Sequence, residues 1–171
     1  MTISEQPSDH VDEILTQWSE VKPDLDASPM GIIGRICRLS VFLVKEQVRV
    51  FEQYNLDFAS FDVLATLFRN GPSHKLTPTQ LAHSMIVTPG AVTQRLARLE
   101  EKGLIVRTHN TGDRRVVSVQ LTDEGKQLVE AVLPDHLSNE QRMLSQFNTD
   151  ELEDLASLLR RMLVSQGDYS I

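Results

Sequence analysis

Apolar residues recur every three to four positions over most of the chain, and this period predicts a mainly α-helical protein. A short amphipathic helix is predicted from Asp9 to Glu20. A linker rich in proline and aspartate follows, and then a long helix is predicted from Met30 to Tyr54. A third helix is predicted from Phe58 to Arg69, ending at Asn70-Gly71-Pro72.

Two helix starts lie close together in the centre of the chain. Thr77-Pro78-Thr79-Gln80 combines an N-cap threonine, a proline at the first helical position and a glutamine three residues after the cap, which predicts a short helix ending near Ser84. Thr88-Pro89 then opens a helix that continues to about Lys102. The three residues between the helices, 85–87, match the spacing of a helix-turn-helix.

After Gly103 the period changes to the alternation typical of strands. Residues 104–107 and 116–121 predict a two-stranded hairpin around the polar turn 109–113, which would form a wing. The predicted fold class is therefore mainly α with a small β-hairpin: a winged helix-turn-helix with long N- and C-terminal dimerisation helices.

The C-terminal part returns to helical spacing. Thr122-Asp123 predicts a helix to about Ser145, within which Pro134 predicts a kink or a break. Thr149 starts a last helix with a leucine stripe, and apolar stripes at both ends of the chain favour a homodimer over an intrachain bundle. The predicted parts are a disordered tail (1–8), an extra helix with a linker (9–29), a dimerisation helix (30–57), the winged helix-turn-helix (58–122) and C-terminal dimerisation helices (123–171).

Charge and composition narrow the function. The net charge is −7, yet six basic and three acidic residues lie between Met85 and Arg115. This segment is therefore locally basic and could bind the phosphates of a nucleic acid despite the negative net charge. The acidic N-terminus, the lack of a long apolar run and the single cysteine predict a cytoplasmic protein that does not contact membranes. Scattered histidines and the lack of a catalytic arrangement predict no metal, no cofactor and no enzyme activity.

The second helix of the motif is expected to enter the major groove of double-stranded DNA. Gln94 can pair with adenine, and arginines can pair with guanine or phosphate, while Leu96 and Leu99 face the core. In the wing, arginine can enter the minor groove, and Asp113 can orient the guanidinium of Arg115. The predicted DNA contacts are Thr79, Thr88, Pro89, Gly90, Ala91, Thr93, Gln94, Arg95, Arg98, Asp113, Arg114 and Arg115.

Residues 76–129 resemble the core of the MarR family, above all R-L-A-R-L-E-E-K-G-L-I from Arg95 to Ile105 and D-R-R with the later L-T between Asp113 and Thr122. The resemblance spans about Ile32 to Leu163. It implies a homodimeric regulator, usually a repressor, whose two recognition helices bind a pseudo-palindromic operator.

The N-terminal helix with its tryptophan is similar to the PecS and urate-responsive branch of that family. This resemblance implies a pocket for a small anionic or aromatic effector, formed by Trp18, Asp62 and Arg107, with Arg95 coupling the pocket to DNA. Effector binding would lower the affinity for DNA. Other readings of these side chains remain open: Trp18 as a core anchor, Asp62 as a helix partner of Arg69 or of a neighbour, and Arg107 as a phosphate contact.

Two other functions also remain open. Oxidation of Cys37 could switch DNA binding, although a buried, inert thiol is the preferred interpretation because free cysteines are among the most buried residues. A winged helix can also bind protein instead of DNA, and the net charge of −7 permits this.

Overall fold

The computed structural model describes residues 7–71, 73–86, 92–109 and 117–169, which form seven helices and three short strands. The predicted tail lies largely in residues 1–6, outside the described residues. The helices are α1 His10–Val21, α2 Ser28–Glu52, α3 Phe58–Arg69, α4 Pro78–Ser84, α5 Val92–Glu101, α6 Asp123–Leu144 and α7 Thr149–Ser165. The strands are β1 Lys75–Leu76, β2 Ile105–His109 and β3 Val117–Leu121. Among the described helices, none is long and apolar enough to cross a lipid bilayer.

Local capping chemistry sets the helix starts. At α4, the Thr77 hydroxyl accepts from the Gln80 backbone N–H at 3.2 Å, and the Gln80 side chain accepts from the Thr77 N–H at 2.9 Å. The capping box that the sequence predicts at this position is therefore confirmed. Asn148 and Glu151 form a second capping box at the start of α7. These contacts satisfy backbone donors that a helix leaves unpaired in its first turn.

The sheet has three antiparallel strands in the order β1-β3-β2. Arg107 of β2 faces Val119 of β3, and Lys75 of β1 faces Gln120. The predicted antiparallel pairing of β2 with β3 is confirmed, and the structure adds a third strand, β1, that the sequence did not predict. Strand β1 has only two residues, too few to show an alternating pattern, and it exists because β3 offers it a pairing edge.

The chain divides into two compact units, one ending at Gln47 and one beginning at Val48. In the first unit, Val11 of α1 is buried near Gly34 of α2. Arg35 donates to Asp9 and to Asp12 at 2.7 and 2.5 Å, which ties the N-terminus of α1 to α2. The domain boundaries drawn from the sequence stay predictions.

The second unit contains the main core. Its fully buried large side chains come from the last turn of α2, from α3, the helix-turn-helix, the sheet and α6: Phe51, Leu64, Leu67, Leu81, Leu99, Val119, Val129 and Val132. This core anchors the helices of the motif and the strands of the wing together, so each supports the position of the other.

Helix α6 runs without interruption through Pro134. A break at this proline, one of the two predicted outcomes, is therefore wrong. Proline removes one backbone hydrogen bond, but Val129 and Val132 lie fully buried in the preceding turns, and this packing stabilises the helix around the missing bond.

Candidate nucleic-acid interface and effector site

Helix α5 has one buried and one exposed face. Leu96 and Leu99 are only 2% and 1% exposed, as the sequence predicts. The polar side chains of Thr93, Gln94 and Arg98 are exposed. A helix that is anchored by its leucines and presents polar side chains to solvent can reach base edges and phosphates.

Helix α4 precedes α5 and packs on α3. The Arg69 guanidinium at the end of α3 donates to the carbonyl of Ser84, the last residue of α4. Thr79 lies exposed in the first turn of α4. Because Arg69 bonds to the backbone of Ser84, it links the two helices of the scaffold. Its suggested role as a partner of Asp62 stays a prediction.

Several predicted DNA contacts fall outside the described residues. In the segment before α5 these are Thr88, Pro89, Gly90 and Ala91. In the segment between β2 and β3 these are Asp113, Arg114 and Arg115. Their roles remain predictions, and the described part of the candidate interface consists of α4, α5 and the strands β2 and β3.

The turn between α5 and β2 is closed by backbone hydrogen bonds. Gly103 has a φ of +71°, the left-handed conformation that glycine adopts without strain. The Gly103 N–H donates to the Glu100 carbonyl at 2.9 Å, and the Leu104 N–H donates to the Leu99 carbonyl at 3.0 Å. This pattern is a Schellman motif, which ends the helix sharply and places β2 directly beside it.

Glu100 and Arg107 form an ion pair between α5 and β2. Oε2 of Glu100 accepts from Nε of Arg107 at 2.7 Å and also from Nη2. The guanidinium lowers the pKa of Glu100 below its usual value, and the carboxylate raises the pKa of Arg107. Glu100 therefore connects the recognition helix to the first long strand of the wing, a contact that the sequence did not predict. The sequence signal for this ion pair is the seven-residue spacing of Glu100 and Arg107 across a helix-turn-strand junction.

Asp62 is a carboxylate buried on α3, with 3% of its surface exposed. Thr66, one turn later on the same helix and also buried, donates its hydroxyl to Oδ1 of Asp62 at 3.5 Å. Burying a carboxylate is costly, so such groups concentrate at functional sites. Arg95 on α5 is half-buried.

Trp18 lies on α1 with 38% of its surface exposed, so it is not a core anchor within this chain. It belongs to the first compact unit, whereas Asp62, Arg95 and Arg107 belong to the second. The four residues inferred for the effector pocket therefore stay a hypothesis. In addition, Asp62 is buried beside Thr66 and Arg107 pairs with Glu100, and neither contact was predicted from the sequence.

Cys37 is exposed in this chain, so the preferred expectation of a buried thiol is wrong. It lines an open apolar groove of about 570 Å³ between α1 and α2. Val11, Ile14, Met30 and Ile33 line the same groove. The reason is geometric: α2 is apolar over a wider arc than the short helix α1 covers.

Comparison with known proteins places these features in a family context. Residues 57–117 match the MarR family. The chain is 40% identical over 152 residues to the HTH-type transcriptional regulator PecS of Dickeya dadantii, covering 89% of this chain and 92% of PecS. Its structure resembles the S. aureus MepR–DNA complex, with a TM-score of 0.69, 26% identity, and coverage of 83% of this chain and 99% of MepR. It also resembles Bordetella bronchiseptica BpsR, whose DNA binding is regulated by 6-hydroxynicotinic acid, with a TM-score of 0.69, 25% identity, and coverage of 81% of this chain and 94% of BpsR.

Proposed function

The chain belongs to the MarR family of transcriptional regulators, and from that membership we propose that it represses transcription by binding a pseudo-palindromic operator as a homodimer. We further propose that a small anionic or aromatic effector lowers its affinity for the operator. In this reading the protein has no catalytic role of its own.

The observation that carries DNA binding is the two-faced helix α5. Its leucines are buried in the core of the second unit, and its exposed face presents Gln94 and Arg98. We assign base contacts to Gln94 and phosphate or guanine contacts to Arg98. Thr79, Thr93 and Arg95 would add contacts around them. The rest of the interface would come from the segments that carry Thr88 to Ala91 and Asp113 to Arg115.

A homodimer is supported by helix α7. None of its described residues is buried, although Leu155, Leu158, Leu159, Met162 and Leu163 form an apolar stripe along it. Apolar side chains that recur on one face of a helix stabilise a protein only when another surface covers them. A second copy of this chain would supply that surface and would also set the distance between two recognition helices.

The effector hypothesis concerns Trp18, Asp62, Arg95 and Arg107. The exposed indole of Trp18 offers a flat apolar face, and Arg107 offers a guanidinium already engaged by a carboxylate. An anionic ring would compete with Glu100 for Arg107. The family precedent is BpsR, which responds to 6-hydroxynicotinic acid.

DNA binding is tested by selecting duplexes from a randomised pool and then measuring affinity by fluorescence anisotropy at several salt concentrations. We expect selection of a two-fold symmetric sequence and affinity that falls steeply with salt. Gln94→Ala should relax the sequence preference, while Arg98→Ala and Arg115→Ala should weaken binding. If no duplex is selected, the protein-interaction function replaces this proposal.

The effector hypothesis is tested with the same labelled duplex and two probes, 6-hydroxynicotinate and urate. A probe that releases DNA from the wild type should fail on Trp18→Phe and Arg107→Ala. Lys126→Ala, which removes a positive charge paired with Asp123 on α6, serves as the control and should respond normally. A response that survives both substitutions in the site would refute the assignment.

A redox switch at Cys37 is the second candidate, and the exposure of this thiol favours it. If oxidation controls the protein, peroxide should release DNA from the wild type but not from Cys37→Ser. The effector probes should act on both proteins alike, which separates the two candidate mechanisms.

A further inference from the structure

The carboxylate of Glu100 receives three hydrogen bonds from one residue. The side chain of Arg107 donates to Oε2 through Nε and Nη2, and the backbone N–H of Arg107 donates to Oε1 at 3.2 Å. A carboxylate that bonds to the backbone as well as to the guanidinium restrains the strand itself. We call this set of contacts the Glu100–Arg107 clamp.

The clamp acts on a strand with few other restraints. Strand β2 lies at the edge of the sheet and pairs only with β3 among the described strands. Edge strands carry N–H groups without a strand partner, and Glu100 accepts from one of them. The Schellman turn at Gly103 restrains the start of β2, and the clamp restrains its third residue. Together they fix the direction in which β2 leaves the end of α5.

We propose that Glu100 is a positioning residue for DNA binding, which acts through Arg107 to hold the wing at the angle required for α5 and the wing to engage one duplex together. The proposal rests on the operator binding proposed above. Specific binding requires both elements to reach their sites at once, whereas non-specific binding depends on charge alone. Loss of the clamp should therefore lower the preference for the selected duplex and spare binding to random DNA.

A matched control separates this effect from simple charge. Glu100→Gln keeps the size of the side chain and an acceptor for the backbone N–H, but it removes the charge that binds the guanidinium. Glu101→Gln removes the same charge from the adjacent, exposed position of the same helix. Both variants reduce repulsion of phosphate, so the difference between them measures the clamp.

The experiment measures the affinities of both variants for the duplex selected by the wild type and for random duplex of equal length. We expect Glu101→Gln to strengthen both affinities alike. Glu100→Gln should lower the ratio of selected to random affinity by about ten-fold. Arg107→Lys should lower this ratio similarly, because lysine cannot donate the two side-chain hydrogen bonds that the guanidinium gives to Glu100. The melting temperatures of all variants should match that of the wild type, since exposed ion pairs add little stability.

Each other outcome overturns the proposal. Equal ratios for Glu100→Gln and Glu101→Gln would show that the clamp does not position the wing. A reduced ratio of selected to random affinity together with a clearly lower melting temperature of the Glu100→Gln variant would assign Glu100 a purely structural role. Failure of the wild type to select any duplex would instead refute operator binding, and with it a positioning role in DNA recognition.

Discussion

Position 125 requires glycine because the backbone just before strand β2 lies against it. It lies buried in the first turn of α6, and a Cβ atom at this position would lie 2.1 Å from the carbonyl oxygen of Leu104. That carbonyl accepts the N–H of Thr122 at 3.1 Å, which joins the start of β2 to the N-cap of α6. The close approach of helix and strand therefore leaves no room for a side chain.

We predict that Gly125→Ala destabilises the protein by about 1–3 kcal/mol, because backbone atoms must move to admit the methyl group. Gly34→Ala is the matched control: it is also a helical glycine, but its Cβ would lie 3.4 Å from Val11. It should change the free energy of unfolding by no more than about 1 kcal/mol, in the stabilising direction. Urea unfolding of the two variants measures the contrast, and equal effects would contradict it.

Asp9 gives a pH-dependent contribution at the residue scale. Its pKa is lowered below the ordinary 3.8, chiefly because Arg35 donates to it. A group whose pKa falls on folding stabilises the folded state above its ordinary value, and this contribution is lost as the pH falls through the lower, folded-state value. The first unit should therefore lose the Asp9 contribution only in acid.

We predict that Asp9→Asn, which keeps an N-cap acceptor, melts below the wild type at pH 7 and that the difference shrinks as the pH is lowered below 3.8 toward the folded-state pKa of Asp9. Trp18, the single tryptophan of the chain, lies on α1 and its fluorescence reports the transition of this unit. Asp24→Asn in the linker controls for the loss of one negative charge. A difference that stays constant as the pH falls through the acid range would exclude the ion pair as its cause.

At the scale of elements, α6 shows packing overriding a local preference. Pro134 lies inside its 22 residues, yet the helix continues. Tyr54, in the turn after α2, also contacts this region, donating its hydroxyl to Asp135 at 2.7 Å. Tertiary contacts before and after the proline stabilise a helix that the isolated sequence would interrupt.

We predict that Pro134→Ala stabilises the protein by about 1–3 kcal/mol, because it restores a backbone hydrogen bond and removes the clash of the proline ring. Pro29→Ala is the control. Pro29 lies in the first turn of α2, where proline costs little, so no comparable gain is expected. Equal denaturation midpoints for the Pro134 variant and the wild type would show that the bond is not restored.

At the scale of the whole molecule, exposed apolar helices are the dominant feature. Leu158 of α7 is 59% exposed and Phe42 of α2 is 57% exposed. Isolated exposed leucines are common, but stripes of them on long helices are typical of a surface that is covered in an assembly. This feature links the proposed homodimer to operator binding, since two recognition helices need a fixed separation.

We predict that Leu158→Asp shifts the protein from dimer to monomer at micromolar concentration and weakens operator binding by at least about ten-fold, because a charge would enter the apolar contact. Ser157→Asp adds the same charge one residue earlier, away from the stripe, and should remain dimeric. Sedimentation velocity measures the mass against the 19.3 kDa of one chain. A Leu158 variant that stays dimeric would place the interface elsewhere.

The sequence by itself determined the elements whose signals are local. The box of Thr77 and Gln80, the helix Phe58–Arg69 and the buried leucines of α5 all follow from short-range chemistry and helical period. The family followed in the same way, because its most specific residues lie in one continuous segment. These features need only neighbouring residues to be decided.

Only the tertiary structure decided features that depend on distant residues. Strand β1 exists because β3 pairs with it, Glu100 binds Arg107 because a tight turn reverses the chain, and Gly125 is required because Leu104 approaches it. The exposure of Cys37 likewise depends on how little of α2 the short helix α1 covers. The physical reason is common to all four: the deciding contact lies between elements, and hydrophobic period and capping motifs specify each element without specifying which surfaces meet.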